Sequence, residues 1–202
     1  MTAAQRQRVR DETRAAILHA ARQLFLQGDG FSMRQLAARV ECSPAALYLH
    51  FKSKDELLQE LMRRSFAILF EGAAAVQDRA GEDPVERVRR GMHGYVRTGL
   101  AHPDEYRLAF LTTLPEPDGT RPPNAAFERV RERVRRCLDA QRFSPPRPQA
   151  GIEANTSLIA QALWSAVHGV TSLLILRPGF PWVSREALIA RVVDGAVDSL
   201  VR

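Results

Sequence analysis

The side chains that most often carry catalysis are few in this chain and do not combine into a site. The 202 residues include five histidines and two cysteines. His93 and His102 stand nine positions apart, an irregular spacing for two ligands of one metal ion. Cys42 has no histidine on its own helical face, and no pair of carboxylates or nucleophile–base set is evident. We therefore predict that the protein is not an enzyme and holds no metal or cofactor.

The remaining polar chemistry is that of binding, and it is unevenly distributed. The net charge is +6, and residues 1–55 hold nine basic against five acidic side chains, which places +4 of the excess there. A basic excess suits an anionic partner such as nucleic acid. A solvated, arginine-rich surface is the alternative for any single residue, and the charge alone leaves both interpretations open.

Residues 31–56, FSMRQLAARVECSPAALYLHFKSKDE, contain closely spaced helix starts. Ser32 and Gln35 have the spacing of a capping box, in which each side chain bonds the backbone amide of the other. Ser43 can then cap a second helix whose first position is Pro44, where the missing N–H has no cost. Two short helices joined by a tight turn form a helix-turn-helix, whose second helix enters the major groove of DNA.

The second of these helices has one buried side and one free side. Leu47 and Phe51, four positions apart, predict the buried side, whereas Tyr48, Leu49 and His50 point elsewhere. A further capping-box spacing at residues 53–56 starts the next helix. An ordinary helical hairpin with an exposed tyrosine has the same pattern, so the spacing alone leaves two interpretations.

The residue pattern resembles the DNA-binding domain of TetR-family transcriptional regulators. The segments S-M-R-Q-L-A and S-P-A-A-L-Y-L-H-F-K-S-K-D-E-L-L match the family pattern T-x-x-x-I-A, then G-V-S-x-x-x-L-Y-x-H-F-x-x-K-x-x-L. Glu41 and Cys42 depart from this pattern, because the family usually has Gly and Val there. The resemblance covers about the first 60 residues, and the residues in register are Leu47, Tyr48, His50, Phe51, Lys54 and Leu57.

The resemblance implies which residues face DNA. Pro44 and Ala46 offer only apolar contact, for instance to a thymine methyl, so Arg34, Tyr48 or DNA shape must supply part of the specificity. The predicted DNA-binding residues are Ser32, Arg34, Ser43, Pro44, Ala45, Ala46, Tyr48, His50 and Lys54, of which Tyr48, His50 and Lys54 bind phosphates as their counterparts in the family do.

Residues 1–10 lack apolar periodicity and predict a mobile basic arm. In the TetR family such arms can reach the minor groove, and Arg6, Arg8 and Arg10 would do so here. A disordered, solubilising tail is the alternative.

The rest of the chain predicts helices separated by short breaks, and no strand alternation of useful length. We predict an all-α fold, with a helix-turn-helix DNA-binding domain at residues 1–55 and a helical effector-binding and dimerisation domain at residues 56–202. Outside the helix-turn-helix, the expected helices lie at about residues 9–27, 53–80, 84–101, 104–114, 124–143, 154–176 and 184–201, and a proline-rich loop lies at 114–124.

Residues 154–176 are apolar around most of the predicted helix, so they must be buried on more than one side. With residues 184–201 and the symmetry mates of both, they predict a four-helix bundle, as in TetR-family dimers. Burial of the two helices against each other within one chain explains part of the same pattern. Small residues that would permit close approach of helices are Ala160, Ala162, Ala166 and Gly169.

Two further segments resemble one type of TetR C-terminal domain. Trp164, His168 and Gly169 match W-x-x-x-H-G, and H-P-D-E-Y-R-L-A-F at residues 102–110 matches P-x-x-Y-x-L-x-F. Trp164 and His168 share one helical face, so their rings meet. A core histidine with a hydrogen-bond partner is the first interpretation of His168, and a pocket-lining or pH-sensitive group is the second.

In the TetR family the C-terminal domain encloses an apolar cavity for a small molecule, and occupancy changes the spacing of the two DNA-binding heads. The predicted cavity walls are Phe66, Phe70, Met92, Tyr95, Phe110, Leu111, Trp164, His168 and Thr171. Each of these residues is more often plain core than cavity lining.

We therefore predict a ligand-responsive transcriptional regulator, a repressor that binds a palindromic double-stranded DNA operator as a homodimer and is released by a small, largely apolar effector. The alternative is a helical small-molecule-binding protein with weak or no DNA binding. The chain has no signal core, no apolar stretch approaching 18 residues and no disulfide framework from Cys42 and Cys137. We expect a cytoplasmic protein with no membrane contact.

Overall fold

The computed structural model describes residues 2–28, 30–74, 81–110 and 125–202, with the backbone alone at 70–74, 125 and 126. Its helices are α1 (Ala3–Leu26), α2 (Met33–Arg39), α3 (Pro44–Tyr48), α4 (Lys54–Ala74), α5 (Pro84–Ala101), α6 (Pro103–Phe110), α7 (Ala125–Asp139), α8 (Gly151–Leu176) and α9 (Arg185–Asp198). Across these residues the only β pairing is an isolated bridge between Phe143 and Val201. The predicted all-α fold is confirmed.

Residue contacts divide the chain into two units. The first contains Met1–Phe66 and Arg107–Pro115, and the second contains Ala67–Tyr106 and Glu116–Arg202. The division falls within α4 and within α6, so each of these helices supplies residues to both units.

The first unit has a small core made by α1, α2, α3 and the start of α4. Leu47 and Phe51, which the sequence placed on the inner side of the second short helix, are fully buried. Burial of each such side chain contributes roughly 1.5–3 kcal/mol. The other buried members are Ile17, Leu18, Ala20, Ala21, Phe31, Met33, Leu36, Ala37, Leu57, Leu58 and Leu61.

The first helix begins earlier than expected, so the prediction of a mobile arm is wrong for residues 3–10. Thr2 and Gln5 form a capping box: the Thr2 hydroxyl accepts the Gln5 amide at 3.2 Å, and the Gln5 side chain accepts the Thr2 amide at 2.7 Å. Arg8 and Glu12, one turn apart, pair at 2.8 Å. Local pairing therefore extends a helix whose first three turns have no buried side.

The second unit is organised around α8, which packs against α5, α7 and α9. Three neighbours explain why this helix is apolar around most of its circumference. The shared core comprises Val85, Val88, Met92, Val96, Val134, Cys137, Phe143, Ile159, Ala160, Leu163, Val167, Val170, Leu174, Val193 and Val197. Ala160 thus lies inside the unit, whereas Ala162 is exposed.

The segment Pro148–Leu176 is long and apolar enough to cross a membrane by length and composition, contrary to the expectation from the sequence. Its apolar character has a second explanation within the described residues, because ten residues of α8 are buried in the second unit. Core helices of soluble proteins meet the same two criteria.

Apart from the start of α1, which lies about six residues earlier than predicted, the predicted helix ends are correct to within about four residues where the structure describes them. Asp83 caps α5 and accepts the Val85 amide at 2.9 Å, and Pro84 takes the first position. Ser184 caps α9 in the same way, accepting the Ala187 amide at 3.2 Å. Residues 75–80 and the proline-rich loop at 114–124 lie outside the described residues.

Candidate nucleic-acid interface and aromatic centre

The turn between α2 and α3 is a tight backbone motif built around Glu41. The Glu41 amide donates to the Ala38 carbonyl at 3.3 Å, and the Cys42 amide donates to the Ala37 carbonyl at 3.0 Å. These two bonds are the pattern of a Schellman motif, which requires a left-handed residue after the helix. Glu41 supplies it with φ +55°. A glycine at this position would have no steric cost, which gives a physical reason for the glycine of the TetR pattern.

The caps on either side of this turn follow the predicted chemistry. Ser32 and Gln35 form the full capping box on α2. The Ser43 hydroxyl accepts the Ala46 amide at 3.1 Å and so caps α3, with Pro44 at its first position. The third predicted box differs in one half: the Ser53 hydroxyl accepts the Glu56 amide at 3.1 Å, but Glu56 itself accepts from the Lys52 amide at 2.7 Å.

All nine predicted DNA-binding residues lie in the first unit. Tyr48 keeps 48% of its surface exposed, while the preceding Leu47 is fully buried. Lys54 lies 5.0 Å from the ring centroid of Phe31, which steadies its ammonium group by a cation–π contact. Ser32, Arg34, Ser43, Pro44, Ala45 and Tyr48 are exposed, and Ala46, His50 and Lys54 are half-buried.

Two further residues of this region were not among the predicted DNA-binding residues. Leu49 follows the second helix and is 77% exposed, although it is apolar. Arg14 of α1 donates from Nη1 to the His50 carbonyl at 2.6 Å, and its guanidinium carbon lies 4.0 Å from the ring centroid of Phe51. No local signal reveals the Arg14 contacts, because they join positions 36 and 37 residues apart.

The second unit contains a cluster of two hydroxyls and one imidazole. The Tyr106 hydroxyl lies 2.6 Å from Nδ1 of His168, and the Tyr95 hydroxyl lies 3.2 Å from the same nitrogen and 3.1 Å from the Tyr106 hydroxyl. The ring of Trp164 is 5.6 Å from that of His168. The predicted meeting of these two rings is confirmed, and His168 has hydrogen-bond partners. Tyr106 was quoted in the matching segment but not predicted as a site residue.

Burial sets the protonation of this cluster. It lowers the pKa of His168 and raises the pKa of both Tyr95 and Tyr106. Each shift favours the uncharged form, as expected for groups moved out of water. At neutral pH the imidazole is therefore neutral, and its Nδ1 atom shares a hydrogen bond with the Tyr106 hydroxyl.

The other predicted cavity residues separate into two groups. In the second unit, Met92 is buried in the core, and Thr171 is fully buried with its hydroxyl donating to the Val167 carbonyl at 2.6 Å. In the first unit, Phe66 and Phe110 make an edge-to-face contact with ring centroids 5.1 Å apart. The side chain of Phe70 and all of Leu111 lie outside the described residues.

Close packing supports the aromatic cluster from one side. A methyl group added at Gly99 of α5 would lie 2.6 Å from the Thr171 methyl and 2.9 Å from the Tyr106 ring. Glycine is therefore required at this crossing of α5, α6 and α8, because any side chain would move Tyr106 away from His168.

Comparison with known families agrees with both halves of this description. A model of bacterial regulatory proteins of the tetR family matches residues 17–61. A model of the tetracyclin repressor-like C-terminal domain matches residues 88–196, which is more than half of the chain and includes Trp164, His168 and Gly169. The chain belongs to the TetR family. It is a TetR-family transcriptional regulator, and regulators of this family are generally not enzymes.

Solved structures of similar fold span nearly the whole chain. A protein of unknown function from Rhodococcus sp. RHA1 is 21% identical with a TM-score of 0.71, covering 94% of this chain and 96% of its own. NalD, the secondary repressor of the MexAB-OprM multidrug efflux pump in Pseudomonas aeruginosa, is 19% identical with a TM-score of 0.66, covering 95% and 97%. A TetR variant from Acinetobacter baumannii in complex with minocycline is 19% identical with a TM-score of 0.58, covering 92% and 94%.

These structural matches establish the TetR fold and nothing finer, because their sequences have diverged so far. A search of curated proteins gives no match. The part of the chain that the structure describes contains no group of three or more histidine, cysteine or acidic side chains placed to hold a metal ion.

Proposed function

We propose that this TetR-family regulator is a cytoplasmic repressor that binds a palindromic operator as a homodimer and is released by a small, largely apolar effector. The observation that carries the proposal is the free side of α3, where Tyr48 is exposed next to a fully buried Leu47. Ser43, Pro44 and Ala45 are exposed at the start of the same helix. Short side chains allow a helix to approach base edges closely, and a tyrosine hydroxyl can donate a hydrogen bond to a DNA phosphate.

The contacts around α3 suggest how it would bind DNA. The Ser43 hydroxyl accepts the Ala46 amide, so its own proton remains available for a phosphate. Arg34 is exposed on α2, and the planar set of N–H donors on its guanidinium can bind a guanine edge or a phosphate. Tyr48, His50 and Lys54 are the proposed phosphate ligands. NalD, a repressor of the same fold, supports repression as the direction of control.

The proposed effector site is the aromatic cluster of the second unit, with Met92, Tyr95, Trp164, His168 and Thr171 as its walls. Aromatic surface around a few convergent polar atoms is the usual composition of small-molecule sites. The minocycline complex shows that one protein of this fold takes a small molecule. The effector would lower operator affinity by preferring a spacing of the two DNA-binding heads that does not fit the operator.

The proposed dimer interface is the outward side of α8 together with α9. Leu158, Leu173 and Leu176 of α8 are exposed although the opposite side of that helix forms the core. Such a row of apolar side chains on one helix is self-complementary about a two-fold axis. Ala162 and Gly169 lie on the same helix, and no atom lies within 4 Å of a methyl group added at Gly169.

Selection from a pool of random-sequence duplexes tests the DNA-binding proposal. We expect the purified protein to enrich a palindrome and to bind it in a gel shift that weakens steeply with salt. Tyr48→Ala should weaken the shift about tenfold or more with the dimer intact, whereas Phe180→Ala, at an aromatic of the second unit that is 56% exposed, should not. Failure to enrich any sequence would sink the repressor proposal and favour a small-molecule-binding protein without DNA binding.

The effector site is tested by fluorescence of Trp164 in a Trp182→Phe background, which removes the other tryptophan. A library of neutral, largely apolar compounds should contain members that change this fluorescence and release the selected operator at the same concentrations. Compounds that change the fluorescence but leave operator binding unaltered would contradict the proposed coupling.

A further inference from the structure

The short connection from α3 to α4 carries one of the proposed phosphate-binding side chains of this regulator. It follows a helix of only five residues and precedes α4, and it carries His50 between Tyr48 and Lys54. A helix of this length has little stability of its own. The direction of the phosphate-binding side chains therefore depends on contacts from outside α3.

Arg14 supplies two such contacts to adjacent residues of that connection. Its Nη1 atom donates to the His50 carbonyl at 2.6 Å, and its guanidinium carbon lies 4.0 Å from the centroid of the Phe51 ring. The Phe51 ring is fully buried, so the guanidinium rests on a fixed surface. The flat guanidinium satisfies both contacts at once: it donates in its plane and stacks through its face.

The backbone of α1 at Arg14 is also held in place, by buried neighbouring residues. Ile17 and Leu18, within one turn of it on α1, are buried in the core of the first unit. Its guanidinium has no carboxylate partner within the described part of the chain. Arg14 is half-buried against this ring and carbonyl, so its charge remains partly open to solvent. A neighbouring DNA phosphate would favour the same charge.

The direction of the His50 imidazole depends on these contacts from Arg14. Nδ1 of His50 is buried and has no hydrogen-bond partner among the described residues. Only the other ring nitrogen, Nε2, can then serve a phosphate, so the ring must point correctly for His50 to contribute. Its direction follows from the backbone that Arg14 holds.

We propose that Arg14 is a positioning residue for operator binding, which fixes the His50–Phe51 backbone and thereby aims Tyr48 and His50 at the DNA phosphates. The proposal rests on the proposed function, because it assumes that α3 binds an operator. It assigns a role to a residue of α1 that contacts no base.

The test compares Arg14→Lys and Arg14→Met with the wild type on two duplexes, the operator selected from the random pool and a scrambled duplex of equal length. Both variants should lose roughly 10- to 100-fold in operator affinity, the effect of a hydrogen bond from a charged donor. Lysine should not rescue binding, because it cannot stack and donate together. Affinity for the scrambled duplex should change less than about threefold, because non-specific binding tolerates many side-chain directions, whereas the operator complex requires Tyr48 and His50 in a fixed register with the phosphates.

Arg22→Met is the matched control, because it removes one half-buried positive charge from the same helix as Arg14. It should reduce operator affinity far less than Arg14→Met. Affinities are compared at a temperature where circular dichroism shows every variant fully folded, so that a merely structural role leaves them unchanged.

Each other outcome is decisive. Wild-type operator affinity in Arg14→Lys would show that Arg14 contributes only its positive charge. Wild-type operator affinity in Arg14→Met would show that Arg14 contributes nothing to binding. Either result overturns the positioning proposal and leaves the proposed operator binding intact. Equal losses on both duplexes would also overturn it, in favour of a direct phosphate contact. A wild-type protein that enriches no sequence would instead overturn the proposed function, and the positioning role with it.

Discussion

The hydroxyl of Tyr106 and Nδ1 of His168 lie 2.6 Å apart, and the two rings stack at 26° with centroids separated by 5.5 Å. This pair joins α6 to α8 within the second unit. The tyrosine of the P-x-x-Y-x-L-x-F segment and the histidine of the W-x-x-x-H-G segment are thus direct partners, which gives the two motifs one physical explanation.

Tyr106→Phe should destabilise the protein by about 1–2 kcal/mol, because it removes the buried hydroxyl that makes the 2.6 Å hydrogen bond to His168. The measurement is urea unfolding at pH 7.5 with an unchanged slope. Tyr95→Phe is the control and should cost less, since its hydroxyl lies 3.2 Å from the imidazole. Equal losses in the two variants would argue against the Tyr106–His168 bond as the main contact.

Stability should fall as the pH decreases through the range where His168 titrates. Burial lowers the pKa of His168 in the folded protein below its ordinary value of 6.5. Between the lowered pKa and 6.5 the unfolded chain binds more protons, so the free energy of unfolding rises with pH in that window and is lost on acidification. Urea unfolding from pH 7.5 downward measures the slope. His168→Gln should flatten it, and an unchanged slope would contradict the assignment.

Gly99→Ala should destabilise the second unit by about 1–3 kcal/mol, the typical effect of overpacking. The added methyl would lie 2.6 Å from the Thr171 methyl. Gly195→Ala is the matched control in α9, where the nearest atom lies 3.8 Å from the added methyl, and it should be neutral or stabilising through helix propensity. Thermal unfolding distinguishes them, and a neutral Gly99→Ala would show that α5 and α8 separate easily.

Glu41→Gly should stabilise the helix-turn-helix by about 0.5–1 kcal/mol, because glycine adopts the left-handed φ of the turn without strain. Glu41→Ala removes the same carboxylate but keeps the strain, so it should give no gain. Equilibrium unfolding of both variants separates backbone strain from charge. A gain of the same size in Glu41→Ala would mean that the carboxylate, and not the dihedral angle, is unfavourable.

Leu173→Glu should convert the proposed dimer to a folded monomer, because it places a charge in the outward row of α8, where Leu173 is 51% exposed. Analytical ultracentrifugation and circular dichroism measure assembly and folding separately. Ile68→Glu, at a 40% exposed position of α4, is the control and should leave assembly unchanged. A Leu173→Glu protein that remains dimeric would place the interface elsewhere.

Local chemistry explains which parts of the fold could be predicted. Side-chain caps such as Ser32 and Ser43 act within three residues, so their spacing predicted helix starts that the structure confirms. The Thr2–Gln5 box has the same spacing and was overlooked because no apolar stripe follows it. The all-α class followed from helix caps and helical periodicity, whereas the TetR resemblance rested on the residue types of the matched segments.

Contacts between helices explain what could not be predicted. The Arg14–His50 bond and the Tyr106–His168 bond join residues 36 and 62 positions apart, and no periodicity encodes such pairs. Tyr95 and His168 were predicted as walls of an apolar cavity. The structure joins them instead in a polar cluster, in which the Tyr106 hydroxyl lies closest to the imidazole. The left-handed φ of Glu41 likewise could not be predicted, because glutamate rarely adopts this conformation.

Helix α8 faces the core of its own chain on one side and carries Leu158, Leu173 and Leu176 exposed on the other. The same helix therefore contributes to the folding of one chain and to the proposed assembly of two chains. If a second copy covers those leucines, subunit concentration becomes a thermodynamic variable of folding: the unfolding midpoint should climb as the protein is concentrated. In a cell the abundance of this regulator would then help to determine how much of it survives in folded form.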